Sequence, residues 1–249
     1  MQGYLRFAPA HPPTLDPADL RPLQHDAPPV LSAADVALLE AASLGDETAL
    51  AAALAAGAGL EAADASGEMA LCRAAARGHL ACLQALLSAG ATLQACDSHG
   101  HDALHWAAAC GRQDCLLALL AAGADKEARD ANGLTTLAIA AGKNQVGCLA
   151  ALADAGASLA ATCWLGNTPA HIAACNGSLP ALRYLHQRGG PACLAARNHK
   201  GQTALDVAVV YRQRAAERLL AQLERRGRGQ LGARWAVLGL HGACACSCT

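Results

Sequence analysis

Four groups of residues in this chain have types and spacings that chemistry could use. In GNTPAHIAA, Thr168 and His171 set a hydroxyl beside an imidazole, the pairing that activates a nucleophile. In CDSHGHDALH, Cys96, Asp97, His99, His101, Asp102 and His105 crowd together side chains that ligate zinc. Cys82, Cys115 and Cys148 recur 33 residues apart and raise the question of disulfides. Near the carboxyl end, Cys244, Cys246 and Cys248 form C-x-C-x-C, a soft thiolate set suited to Cu(I) or Zn(II) and also to lipidation. The final Cys246-Ser247-Cys248-Thr249 has C-a-a-X form, but its middle residues are not aliphatic, which argues against a prenyl group. Palmitoylation, helped by Arg225, Arg226, Arg228 and Arg234, is the other lipid reading; the plain one is an unstructured tail. No phosphate-cradling loop or metalloprotease motif accompanies these groups.

The elements that must position them follow a period. Gly57, Gly90, Gly123, Gly156 and Gly189 are each 33 residues apart. Gly45, Gly78, Gly111, Asn144 and Gly177 keep that spacing, with Asn once in place of Gly, and so do Gly67, Gly100, Gly133 and Gly166. Gly201 follows 35 residues after Gly166, so two residues are inserted within 190–200. The first ladder closes helices, as in LLSAGA and LLAAGA, where Gly takes the left-handed conformation. The second separates two short helices, and Asn144 is a residue that tolerates positive φ. The third closes turns: DASG, DSHG and DANG carry Asp first and Gly fourth, a type I signature. Residues 69–77 predict a short Ala-rich helix and 79–88 a second, with Leu83, Leu86 and Leu87 on one face. Neither reaches the about 12–15 residues that a helix needs alone in water, so each persists only by packing on its neighbours.

The period settles the chemistry. Positions equivalent to His171 hold Cys72, His105, Ala138 and Asp206, and a catalytic residue would not be interchangeable with Ala. Thr168 is read as an N-cap, Pro169 as the first helical residue, and His171 as a tie between adjacent repeats. Packed helices lie about 8–10 Å apart, whereas a disulfide needs Cα atoms about 4.4–6.8 Å apart, so Cys82, Cys115 and Cys148 read as small apolar fillers. Asp97 and Gly100 belong to a turn and Asp102 to a cap, leaving Cys96, His99 and His101 in an open loop better suited to a partner than to a metal. No catalytic residue, metal, cofactor or small-molecule substrate is expected.

Composition agrees with thin layers of closely packed helices: 53% of the 249 residues are hydrophobic but only 3% aromatic, so Ala and Leu must fill the core. A net charge of −1 provides no field to draw nucleic acid. MQGYLRFAPAHPPT has no apolar h-region, and the 12 Cys suit a reducing compartment; the expectation is an intracellular protein, in cytoplasm or nucleus. Residues 1–31 read as a Pro-rich disordered arm and 224–249 as a basic, then Cys-rich, flexible tail. Between them, 33–223 divides into an N-terminal cap at 33–63, full repeats at 64–96, 97–129, 130–162 and 163–197, and a C-terminal cap at 198–223. Met69 sits at a helix-capping position it cannot serve, and Arg212 stands where Gly is usual.

The units GEMALCRAAARGHLACLQALLSAGA, GHDALHWAAACGRQDCLLALLAAGA and GNTPAHIAACNGSLPALRYLHQRGG resemble the ankyrin repeat, whose pattern is G-x-TPLH-x-AA-x-x-GH followed by LL-x-x-GA. The resemblance implies an all-α solenoid of stacked helix-turn-helix units with protruding β-turn fingers and a concave face of first helices. It implies a non-catalytic scaffold that binds a partner protein through positions free to vary. On the fingers these are Ser66, Glu68, His99, His101, Asn132 and Leu134, then Trp164, Leu165, Asn167, His199, Lys200 and Gln202. On the first helices they are Arg77, Trp106, Lys143, Asn176 and Tyr211. Trp164-Leu165, two large apolar residues with no fold role in the pattern, mark the expected binding centre, beside a fifth finger enlarged by the insertion; the alternative is that Trp164 folds back onto Cys163 or the neighbouring finger. The alternatives are an adaptor subunit of a ubiquitin ligase or kinase, and an adaptor tethered to membrane through the terminal cysteines.

Overall fold

The computed structural model describes residues 31–237; residues 1–30 and the cysteines at 244, 246 and 248 lie outside the described residues. Twelve helices fall in pairs among the described residues. The first pair is α1 (Ala33–Leu44) with α2 (Glu47–Ala55), the second α3 (Ala70–Arg77) with α4 (Leu80–Ser88), the third α5 (Ala103–Ala109) with α6 (Gln113–Ala121). Then come α7 (Thr136–Gly142) with α8 (Val146–Asp154), α9 (Pro169–Asn176) with α10 (Leu179–Ala195), and α11 (Ala204–Val210) with α12 (Arg214–Val237). Each first helix packs on the first helix of the next pair, and each second helix on the next second helix. Among the described residues no helix is long and apolar enough to cross a membrane.

Most helices are shorter than an isolated helix can sustain, so the interior between repeats must hold them. Ala74, Ala107, Ala140, Ala173 and Ala208 are fully buried and let first helices approach closely. Leu83, Leu116, Leu149 and Leu182 are fully buried along the second helices. Truncating such a Leu to Ala costs about 2–5 kcal/mol.

Local signals place the helix ends. Ser32 and Asp35 form a capping box on α1. Asp102 and Thr135 cap α5 and α7, and Thr203 caps α11 in a box with Asp206. Met69 makes no cap hydrogen bond on α3. The residues before the second helices reach backwards instead. His79 Nε2 donates to Ser43 O (3.1 Å), Arg112 Nε to Ala76 O (3.2 Å), Ser178 Oγ to Gly142 O (3.0 Å) and Gln213 Nε2 to Cys175 O (3.0 Å). Each bond satisfies a carbonyl at the end of the preceding repeat's first helix, which has no partner within its own helix.

Three expectations are corrected. The left-handed residue near the end of α10 is Gly190 (φ 68°), not Gly189, and a further helical turn with Pro191 follows it. The two inserted residues extend that second helix and bury Leu194; they do not enlarge the fifth finger, whose Gly201 N donates to Asn198 O at 2.8 Å as the other fingers do. Finally, α12 runs through to Val237, so the stretch after 223 continues a helix. It contains no Pro, and a Gly inside a helix costs only about 1 kcal/mol against Ala.

Candidate functional site

The five fingers are one turn built five times. In each, the first residue's N–H bonds the carbonyl four residues on and its carbonyl accepts from the Gly N–H, as in Asp97 N to His101 O and Gly100 N to Asp97 O, both 3.0 Å. In four of the five a side-chain acceptor then fixes the loop. Asp97 Oδ1 accepts from His99 N (2.8 Å) and His101 N (2.9 Å), and Asp130 Oδ1 from Asn132 N (2.8 Å) and Leu134 N (2.7 Å). Asp64 does the same for Ser66 and Glu68, and Asn198 for Lys200 and Gln202. Neighbouring fingertips are joined by backbone bonds from Ser98 N to Ser66 O, Ala131 N to His99 O, Trp164 N to Asn132 O and His199 N to Leu165 O.

The second carboxylate oxygen faces the first helices. Asp64 Oδ2 accepts from Arg73, and Asp97 Oδ2 from Trp106 Nε1 at 3.1 Å. The equivalent of Arg73 and Trp106 in the next repeat is Ile139, which has no donor. Asp130 Oδ2 is buried without a regular hydrogen bond, and His101 Nε2 reaches it from the preceding finger at 3.4 Å while His101 Nδ1 stands 3.6 Å from Asp97 Oδ2. Burial disfavours a charged imidazole there, but Asp130 and Asp97 outweigh it and raise the His101 pKa. Burial likewise opposes charge on Asp130, and His101 with the Leu134 and Asn132 amides outweighs that, lowering its pKa. Burial works against Asp64 too, yet bonds from Ser66, Glu68 and Arg73 hold its carboxyl at about 2.

The returning flank of each finger therefore serves the fold. Leu134 is 4% exposed and Asn167 5%, with Asn167 Oδ1 accepting from Asn198 Nδ2 at 2.9 Å; neither offers a side chain to a partner, contrary to expectation. The residue after the turn Gly points back toward the helices, which a period alone does not reveal. Glu68 pairs with Arg73, Gln202 Oε1 accepts from Asn198 Nδ2, and His101 is held between carboxylates, so these three are half-buried. His101 is accordingly not the open-loop residue expected. Trp106 is also half-buried, edge-on to His101 at 5.6 Å. The outgoing flank stays exposed: Ser66, His99, Asn132, Trp164, Leu165, His199 and Lys200.

Trp164 has a fold role that its position in the pattern did not disclose. The fourth finger begins at Cys163, which lacks a carboxylate. Trp164 Nε1 donates to Ala131 O of the third finger at 3.2 Å, and Arg129 stands over the ring at 5.8 Å. The indole lies where a Cβ on Gly133 would meet it at 2.6 Å, so Gly133 is required both by its φ of 74° and by this contact. Even so, Trp164 remains 63% exposed and Leu165 40%.

On the first helices the row one period apart runs Leu44, Arg77, Cys110, Lys143, Asn176 and Tyr211, all exposed. Leu44 and Cys110 were missed, although the same 33-residue spacing names them. Their variety contrasts with the buried Ala rows beside them, and only the row's exposure separates recognition from scaffold.

Among the described residues, the Thr168–His171 pair, His105 and the three periodic cysteines serve the fold. His171 Nδ1 accepts from Thr168 N (3.2 Å) and Oγ1 (2.8 Å), while Nε2 donates to Gln202 O of the next repeat at 2.8 Å. Burial lowers its pKa, in keeping with a neutral ring. His105 Nδ1 donates to Asp102 Oδ1 at 2.8 Å. Cys82, Cys115 and Cys148 are buried, unbridged thiols; burial pushes Cys148 up to about 11, far from a reactive thiolate.

No curated protein matches this chain. The family model described as ankyrin repeats, in three copies, matches residues 38–130, 119–191 and 137–227. Ankyrin repeats are generally protein–protein interaction modules and typically non-catalytic. With its six helix pairs and five wired fingers, the chain belongs to the ankyrin repeat family.

Proposed function

We propose that this protein binds a partner protein across its outgoing finger flanks and its exposed first-helix row, as a scaffold without chemistry of its own. One observation carries the reading: on a frame whose buried positions repeat, Trp164, Leu165, Lys143, Asn176 and Tyr211 are exposed and differ from repeat to repeat. Trp164 is the anchor. Its ring is already seated on Gly133 and its N–H already bonded, so little freedom is lost when a partner covers the remaining face. Lys143 and Arg77 bring positive charge to the row, which suits an acidic or polar rim on the partner.

Affinity purification with cross-linking identifies the partner; titration with variants then tests the surface. Trp164→Ala and Tyr211→Ala each weaken binding by about 2 kcal/mol or more, while Gln84→Ala on α4 leaves it unchanged. Cross-links confined to the second helices, or equal affinity for Trp164→Ala and the parent, would overturn the reading.

A further inference from the structure

Among the described residues no repeat covers the far face of α11, the last of the first helices. At every earlier junction the residue that meets the next repeat is a fully buried alanine: Ala42, Ala75, Ala108, Ala141 and Ala174. Its equivalent on α11 is Val209, which is 52% exposed, and Val210 beside it is 60% exposed. Val210 corresponds to Gly142, where a Cβ would stand 2.7 Å from Ile172 of the next repeat, so this row points along the stack. The outer helix closes its own share differently, since Glu217 stands where Leu83, Leu116, Leu149 and Leu182 are buried. One helix of the terminal pair is therefore finished with a polar residue and the other is left apolar.

Two charged residues flank the valines on the same face. Asp206 occupies the position of His171, whose Nε2 bonds the next repeat. Arg212 occupies the position of Gly45, Gly78, Gly111 and Gly177, where a Cβ would meet the next repeat's His79, Arg112, Gln145 or Gln213 at 2.4–2.8 Å. Asn144, the other non-Gly residue here with positive φ, does extend into the following repeat: its Oδ1 accepts from Ala181 N at 3.2 Å. Arg212 has the same left-handed backbone (φ 57°), so its side chain starts into the space that a seventh repeat would need. A repeat with a long side chain at the position of His79, Arg112, Gln145 or Gln213 cannot stack there in register.

Asp206 and Arg212 lie three residues before and after Val209. That order, acid, apolar, base, is self-complementary under a two-fold axis: an antiparallel copy sets Asp206 of each chain against Arg212 of the other around a shared Val209–Val210 centre. A parallel continuation would set like charges together. We infer that the α11 face is the seat of an isologous contact between two copies of this chain. The contact is small, so it forms a reversible dimer at the weak end of specific interfaces.

Sedimentation velocity of the full chain over a range of concentrations tests this, with circular dichroism confirming the fold of each variant. The parent shows a concentration-dependent monomer–dimer equilibrium. Val209→Glu weakens dimerisation about tenfold or more, and Arg212→Glu does the same by opposing Asp206. Adding Asp206→Lys to Arg212→Glu restores association, which no merely structural role for either residue would do. With Tyr211→p-benzoylphenylalanine, irradiation of the full chain links two copies through their α11 segments. A monomer at every concentration, a dimer indifferent to Val209→Glu, or a photolink to residues 238–249 of the same chain would overturn the inference.

Discussion

Fingers one to three and fingers four and five build the same turn from different atoms. The first three begin with Asp64, Asp97 and Asp130, and each uses one carboxylate oxygen to hold the turn and aims the other at the helices. The fourth begins with Cys163 and has no such acceptor; Trp164 leans back on the third finger instead. The fifth begins with Asn198, whose amide accepts from the turn and donates to Asn167 and Gln202 without carrying charge. The backbone bonds close the turn even without a side-chain acceptor at its first position, as Cys163 shows, and a charged residue stands there only where a donor waits for its second oxygen. The first group gains strength and a dependence on pH. In the second, the fourth finger keeps two large apolar side chains, Trp164 and Leu165, at its tip for contact.

The largest expected effect separates the groups directly. Asp130→Ala removes the acceptor of two backbone amides, one of them buried, and strands His101; about 3 kcal/mol of stability is lost in chemical denaturation. Cys163→Ala at the equivalent position costs about 1 kcal/mol or less, because no hydrogen bond is broken. Equal losses would erase the distinction between the groups.

Titration gives the next test. The His101 pKa is raised on folding, so its contribution is full below the ordinary histidine value and is lost as pH rises through the folded value. The Asp130 pKa is lowered, so its contribution is full above the ordinary carboxylate value and is lost as pH falls through the folded value. The bridge is strongest between about pH 4 and about pH 6.5. His101→Gln should therefore lower stability by on the order of 1–2 kcal/mol near pH 5.5, with the deficit shrinking by pH 8, as read from Tm against pH. A deficit constant with pH would mean that His101 acts through packing alone.

Smaller effects sharpen the contrast. Finger one is well wired but the helix it leads into is not capped, so Met69→Thr stabilises by about 1 kcal/mol; a lower Tm would contradict the N-cap assignment. Trp164→Ala, which leaves the turn's backbone bonds in place, costs about 0.5–1 kcal/mol of stability, well below its cost to binding.

Much of this architecture was legible because it is local and periodic. A Gly at a fixed spacing, an Asp at the first position of a turn, or a Thr before Pro each states a backbone demand that a reader can meet without coordinates. The helix pairs, their caps and the left-handed Asn144 follow from such demands repeated every 33 residues, whereas the left-handed backbone of Arg212 was not read from its place in the pattern. The candidate site was legible only in part. Variation marked the fingers and one helix row, but it did not distinguish an outgoing flank from a returning one, so Leu134 and Asn167 were counted as exposed. It also passed over Leu44 and Cys110, whose types are unremarkable; the spacing places them in the row, and their exposure leaves them open to a partner.

The amino-acid order alone fixes the repeat, its turns and its caps, because those depend on φ, on hydrogen-bond donors a few residues away and on the recurrence of small apolar side chains. Folding in three dimensions settles the rest: His101 bridging to Asp130, the indole of Trp164 seated on Gly133, the insertion spent in α10, and Val209 left uncovered at the last junction. Each of these depends on which side chain a neighbouring repeat brings within a few ångströms, or on there being no neighbour at all, and distance across a stack is not written in any local stretch of chain.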